Sequence, residues 1–314
     1  MSSYNIYIVV DAGTEIGMGH LSRCTAFYDR FTKLGSSVMY LLDTDVDYST
    51  FLGNRNFASV GWRNNISLLE QYVTLNDCIF LDSLNISQEQ ADYISSICNK
   101  LVVIDDYLRL NYSNTIIVDW TPNVENTGKH IINSSNTFLL GAGYAVLREP
   151  FASYKYAPKF KGVHPVSILV VMGGSDIRNL THSIVSTLQT AHPGYKVKYI
   201  DGKNNPVSSE TMFQMMDEAD IVISAAGQTL FELLKLRKPT IAIQVVDNQK
   251  EDAEGMLNLG LYNEFYQWDD KDLIDKVLAK VEYFSSPENR KKIVLNISEI
   301  DFYDTPLEVI KLLS

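Results

Sequence analysis

The sequence predicts an α/β protein made of two doubly wound parallel sheets. Three observations carry that expectation. The chain has 314 residues, and domains of about 100–200 residues make two the default count. Short apolar runs alternate with longer stretches of helical period, and the series occurs twice. Several of the runs are apolar throughout, the pattern of strands covered on both faces.

In the first series, strands are expected at 6–11, 38–42, 78–82, 101–105, 115–119 and 137–140, with helices over 21–34 and 88–99. The second series predicts strands at 166–172, 197–200, 221–224 and 240–245, and helices at 179–191, 209–218 and 229–236. Between them, 149–165 holds three prolines and no clean period, so it reads as a connection. The expected division is a first lobe over 1–150, a linker over 151–165, a second lobe over 166–300 and a short C-terminal helix within 301–314. No short-period repeat or low-complexity tract interrupts it.

Composition narrows the function classes. Hydrophobic residues make up 46% and charged residues 21%, ordinary for a chain that buries a core. No apolar run approaches the roughly 20 residues of a membrane helix. The first residues, MSSYNIYIVVD, lack the basic stretch of a signal peptide, so a cytoplasmic protein with no membrane partner is expected. The net charge of −11 argues against a nucleic-acid partner. An anionic ligand would have to be held locally, by backbone N–H groups and a few placed cations. Cys24, Cys78 and Cys98 are odd in number and lack CxxC spacing, so they read as buried thiols. No residues have metal-ligand spacing. No Ser-His-Asp order or GxSxG elbow is present. Neither a metal nor a cofactor is expected. His130, His164, His182 and His192 read as structural or solvated.

Open α/β sheets bind ligands at the carboxyl ends of their strands. The first strand ends at Asp11, and a loop containing Gly13, Gly17 and Gly19 leads to His20 at the start of a helix. Glycines permit close backbone approach to a ligand. The positive end of the helix disfavours a protonated imidazole, and a neutral imidazole is a competent general base. The alternative is a histidine that only caps a tight turn. Arg23 lies about one turn on and could pair with a phosphate or fix the histidine.

In the second half, Gly173, Gly174 and Ser175 follow a strand and suit a backbone that approaches a phosphate. The run Ser224, Ala225, Ala226, Gly227, Gln228, Thr229 and Glu232 is a strand, a small-residue loop and a helix start. There the backbone could hold a pyrophosphate and Glu232 could accept both ribose hydroxyls. A capping box between Thr229 and Glu232 is the alternative. Asn248 and Gln249 follow the next strand and could orient sugar hydroxyls or a water, or merely form an Asx turn.

These stretches resemble a known family. Ile16-Gly17-Met18-Gly19-His20 with Arg23, Asp105-Asp106, the run from Leu139 through Tyr144 to Arg148, Gly173-Gly174-Ser175-Asp176, Ser224 to Glu232 and Asp247-Asn248-Gln249 occur in the order seen in the UDP-diacetamido-trideoxy-altropyranose hydrolases of pseudaminic acid biosynthesis. The chain is also similar to spore-coat polysaccharide proteins and, more distantly, to the glycosyltransferase that forms lipid II. The resemblance implies a GT-B fold whose two Rossmann-like lobes flank a cleft. It also implies a UDP-sugar substrate, His20 as catalytic residue, a UDP loop over 226–232 and metal-independent attack of water at the anomeric carbon with inversion. It says nothing of oligomeric state. The sequence departs from the family pattern at Leu84, Trp120 and Ala226. A GT-B transferase acting on the same donor and a non-catalytic UDP-sugar-binding protein are the other readings. The chain has no basic apolar run of the kind a membrane-acting transferase would favour.

Overall fold

Strands form where the apolar runs are, because burial on both faces rewards unbroken hydrophobicity. In this computed structural model the described residues are 4–106, 108–126, 128, 135–156, 166–174, 176–202, 207–297 and 300–313. They divide into two compact units, Met1–Val146 with Phe302–Ser314, and Leu147–Asp301. Ser175, His130, His164 and linker residues 157–165 lie outside the described residues, as does the side chain of Asn248.

The first unit begins with β1 (Asn5–Asp11), α1 (Gly19–Lys33), β2 (Ser37–Asp43), α2 (Ser49–Leu52), β3 (Phe57–Ser59), β4 (Cys78–Asp82) and α3 (Gln88–Ile97). It continues with β5 (Lys100–Ile104), β6 (Ile116–Asp119) and β7 (Thr137–Leu140). All strands pair in parallel, in the order β3-β2-β1-β4-β5-β6-β7. The chain therefore winds outward from β1 to β3 and crosses back to β4, which pairs Val10 with Asp82. That reversal opens a crevice at the carboxyl ends of β1 and β4.

Helix α1 covers one face with a stripe of His20, Leu21, Cys24, Phe27, Tyr28 and Phe31, the spacing of an amphipathic helix. Phe27 and Phe31 meet Phe80 of β4 with ring centroids 4.4 and 5.7 Å apart. Each such burial is worth about 1.5–3 kcal/mol. The other face packs Val9, Ile79 and Leu81 with Trp62, Leu69 and Ile94. Helix α3 starts at a capping box between Ser87 and Gln90. All three cysteines are free and buried.

The second unit contains α4 (Glu149–Ala152), β8 (Ser167–Val171), α5 (Leu180–Ala191), β9 (Lys196–Ile200), α6 (Ser209–Glu218), β10 (Ile221–Ala225) and α7 (Thr229–Lys235). It ends with β11 (Thr240–Gln244), α8 (Lys250–Asn258), β12 (Tyr266–Gln267), α9 (Leu273–Ser285) and α10 (Pro287–Ile297). Its parallel sheet runs β12-β11-β10-β8-β9. The reversal here lies between β8 and β10, with Ser224 beside Val171.

The last helix, α11 (Thr305–Leu313), returns to the first unit. Arg30 Nε donates to Asp304 Oδ2 at 2.9 Å, and the Tyr4 hydroxyl donates to the Leu313 carbonyl at 2.7 Å. The expected linker begins inside α4, which groups with the second unit. Among the described residues no helix is long and apolar enough to cross a membrane.

Candidate functional site

The crevice of the first unit is built by the loop between β1 and α1. Gly13 and Gly17 close this loop by reciprocal backbone bonds of 3.2 and 2.7 Å, and Gly17 adopts φ +79°, which favours glycine. Asp45 accepts from the Thr14 N–H at 3.0 Å and fixes the loop's tip. The loop delivers Gly19 and His20 into the first turn of α1. Because β4 is the neighbour of β1, its last residue lies beneath that turn, and His20 Nδ1 is 2.7 Å from Asp82 Oδ1. An ionised carboxylate can only accept, so Nδ1 carries the proton. Among the described residues nothing bonds to Nε2, which in the neutral ring keeps its lone pair. The His20 side chain is 11% exposed. The helix end is thus only part of its environment, since one edge meets a carboxylate.

Asp82 is fully buried and surrounded by donors. Arg23 Nε and Nη2 each donate to it at 2.6 Å, and Cys24 Sγ approaches at 3.5 Å. Burial pushes the carboxyl up, but the Arg23 guanidinium and the His20 ring outweigh this and hold it well below the usual carboxylate range. Arg23 Nη1 also donates to Asp106 at 2.7 Å, and the guanidinium lies 5.2 Å from the centre of the Trp120 ring. Burial opposes its charge, but Asp106 and Asp82 stabilise it. Of the two roles left open for Arg23, its contacts serve the second: it holds the carboxylate that holds the histidine. Trp120, one of the departures from the family pattern, walls this ion pair.

Asp11, at the end of β1, accepts from Ser83 Oγ at 2.9 Å, while its Oδ1 has no partner among the described residues. Burial pushes its pKa up, and the Ser83 bond only partly offsets that. Tyr144 sits elsewhere, in a turn after β7 at the far edge of the sheet. Its ring stacks on Tyr303 at 4.6 Å.

In the second unit, Gly173 and Gly174 follow β8, with Gly173 at φ +83°. Gly202 backs them so closely that a Cβ there would lie 2.7 Å from the Gly173 oxygen. The Asp176 carboxylate accepts from the Leu180 and Thr181 N–H groups at 3.0 and 2.9 Å, so it occupies the amino end of α5. The loop after β10 is anchored by the Ala226 N–H on the Ile243 carbonyl. Gln249 accepts from the Val245 N–H at 2.9 Å and lies against Gly227, which joins the loops after β10 and β11. Asn248 belongs to a single turn over Asp247–Gln249.

Helix α7 begins at Thr229 with Gln228 as cap and no side-chain capping bond, so Thr229 and Glu232 form no capping box. Glu232 is buried and accepts from Arg148 Nε and Nη2, both at 2.6 Å. Burial works against the Arg148 charge and Glu232 more than restores it. The carboxylate expected to receive ribose hydroxyls thus already holds one donor on each oxygen.

Sequence reading missed the Asp82–His20 and Arg148–Glu232 pairs. One signal was visible: apolar strands that stop on an aspartate, at Asp11, Asp43, Asp82, Asp105 and Asp119. Repeated strand-end carboxylates mark one rim of the sheet.

No family model matches the chain. An uncharacterized protein of Methanocaldococcus jannaschii is 24% identical over 274 residues, covering 78% of this chain and 57% of that protein. The pseudaminic acid cytidylyltransferase and UDP-2,4-diacetamido-2,4,6-trideoxy-β-L-altropyranose hydrolase of Helicobacter pylori is 23% identical over 279 residues, covering 82% of this chain and 48% of that protein. The chain therefore spans about half the length of both curated relatives. Among solved structures, the glycosyltransferase of kitacinnamycin superposes with a TM-score of 0.64 at 11% identity, covering 99% of this chain and 98% of that one. The calicheamicin glycosyltransferase gives 0.63 at 10%, covering 100% and 98%. A spinosyn rhamnosyltransferase complexed with thymidine diphosphate gives 0.60 at 11%, covering 99% of each chain. The fold class is that of the GT-B glycosyltransferases, with two Rossmann-like parallel-sheet units.

Proposed function

We propose that the protein hydrolyses a UDP-linked diacetamido-trideoxyhexose to UDP and the free sugar, as in the synthesis of pseudaminic-type nonulosonic acids. The observation that carries this reading is the 2.7 Å contact between His20 Nδ1 and Asp82, which leaves Nε2 as the basic nitrogen. The hydrolase activity in the name of the Helicobacter relative supports it.

Water gives its proton to Nε2 while its oxygen bonds to C1 of the sugar. The bond between C1 and the diphosphate oxygen breaks, and its electron pair leaves with UDP. The imidazolium that forms is stabilised by Asp82, which Arg23 keeps ionised. Attack opposite the leaving group inverts C1. UDP is a stable leaving group, so the reading needs no metal. The loops at 173–174 and 226–229 hold the diphosphate, with Glu232 toward the ribose.

A second reading, transfer to an acceptor hydroxyl in place of water, is kept because the structural neighbours that share the fold are glycosyltransferases. The experiment supplies the UDP-sugar in labelled water, with chelator and without acceptor. UDP release with the heavy oxygen in the sugar, lost in His20→Gln while UDP still binds, supports hydrolysis. Release only on adding an acceptor supports transfer. Label in UDP would mean cleavage at phosphorus and would end both readings. Binding without turnover would leave a UDP-sugar receptor.

A further inference from the structure

In a chain of net charge −11, a cation placed against a bound diphosphate offsets the repulsion of the protein's own field. In the loop after β8 the amino end of α5 cannot serve, because the Asp176 carboxylate occupies its first N–H groups. The same loop presents Arg178. Its Nε donates to the Val245 carbonyl at 3.0 Å, and its guanidinium carbon lies 3.8 Å from the centre of the Trp268 ring.

Topology says where this puts the charge. Arg178 follows β8, Val245 follows β11, and β10 lies between them in the sheet. To reach Val245 the side chain must cross the carboxyl end of β10, where Ala226 and Gly227 form the small-residue loop. This is the reversal point of the sheet, the crevice where open α/β sheets take ligands. Trp268 is itself tied to the sheet by its backbone N–H, which donates to the Gln244 carbonyl at 3.0 Å. An arginine clamped by a carbonyl and an indole face loses little further freedom when it binds an anion.

We infer that Arg178, held by Val245 and Trp268, is the diphosphate-binding cation of the second unit. This rests on the proposal that the unit holds UDP. Backbone amides alone then do not carry the phosphates; a side chain from the first loop reaches over the third to do so.

Titration calorimetry with UDP, uridine and inorganic pyrophosphate tests it. Arg178→Gln is expected to weaken UDP and pyrophosphate about ten- to a hundredfold and leave uridine unchanged. Arg178→Lys should recover part of the loss, and Trp268→Ala should show a smaller loss with the same selectivity. The salt dependence of UDP binding should flatten in Arg178→Gln. Unchanged UDP affinity, or equal weakening of UDP and uridine, overturns the assignment of Arg178 alone. A wild-type protein that binds no UDP overturns the proposed function as well. The side chain is exposed, so thermal midpoints of the variants should match the wild type.

Discussion

Asp82 accepts from His20, Arg23 and Cys24 at once, and the carboxylate is fully buried. Asparagine there keeps the shape and removes the charge that stabilises an imidazolium. Asp82→Asn is expected to lower kcat for UDP release about a hundred- to ten-thousandfold, with KM little changed. It should also cost stability, below the roughly 3–5 kcal/mol of a fully stranded buried charge, because Arg23 keeps Asp106. Steady-state kinetics and urea unfolding measure the two effects separately. The pH dependence has a definite sign. Asp82 is held below its unfolded value, so its contribution is present above about pH 4 and is lost as pH falls further. Asp11 has the opposite sign, since burial raises its pKa and its ionised form costs stability at neutral pH. Asp11→Asn should therefore be more stable than wild type at pH 7, with an advantage that shrinks as pH falls. An unchanged pH profile of unfolding would contradict both assignments.

At the scale of elements, the loops after β8 and β9 are pressed together at Gly202. A Cβ there would lie 2.7 Å from both the Gly173 oxygen and the Gly174 Cα, which are backbone atoms that cannot swing away. Gly202→Ala should destabilise the protein by about 1–3 kcal/mol and weaken UDP binding by displacing the glycine pair. Thermal unfolding and UDP titration check it. Gly13→Ala meets only the tip of the Asp45 side chain, so its cost should be smaller. The elements differ in how far the sequence reveals them. Strands β4 and β10 are readable because every residue in them is buried. Strand β3 is three residues long, mostly exposed, and carries no such run. Strand β12, with two residues, is as short. The glycine loop announces His20, but its partner is 62 residues away and becomes a neighbour only through the pairing of β1 with β4. Arg148 and Glu232, 84 residues apart, are hidden for the same reason.

Across the whole molecule, the chain ends by completing the unit with which it began. Tyr303 stacks on Tyr144, Thr305 Oγ1 donates to the Tyr144 carbonyl, and Arg30 pairs with Asp304. Removing 302–314 should lower the unfolding temperature of the first unit and leave that of the second in place, resolved by calorimetry as a transition that splits or broadens. Under the proposed function the same division separates chemistry from nucleotide binding, because His20 and Asp82 belong to one unit, and Arg178 and Glu232 to the other. The most direct measurement of that division is kcat for UDP release beside UDP affinity in His20→Gln. A loss of turnover of at least about a hundredfold at wild-type affinity is the expected result. Turnover that persists without the imidazole would contradict the account.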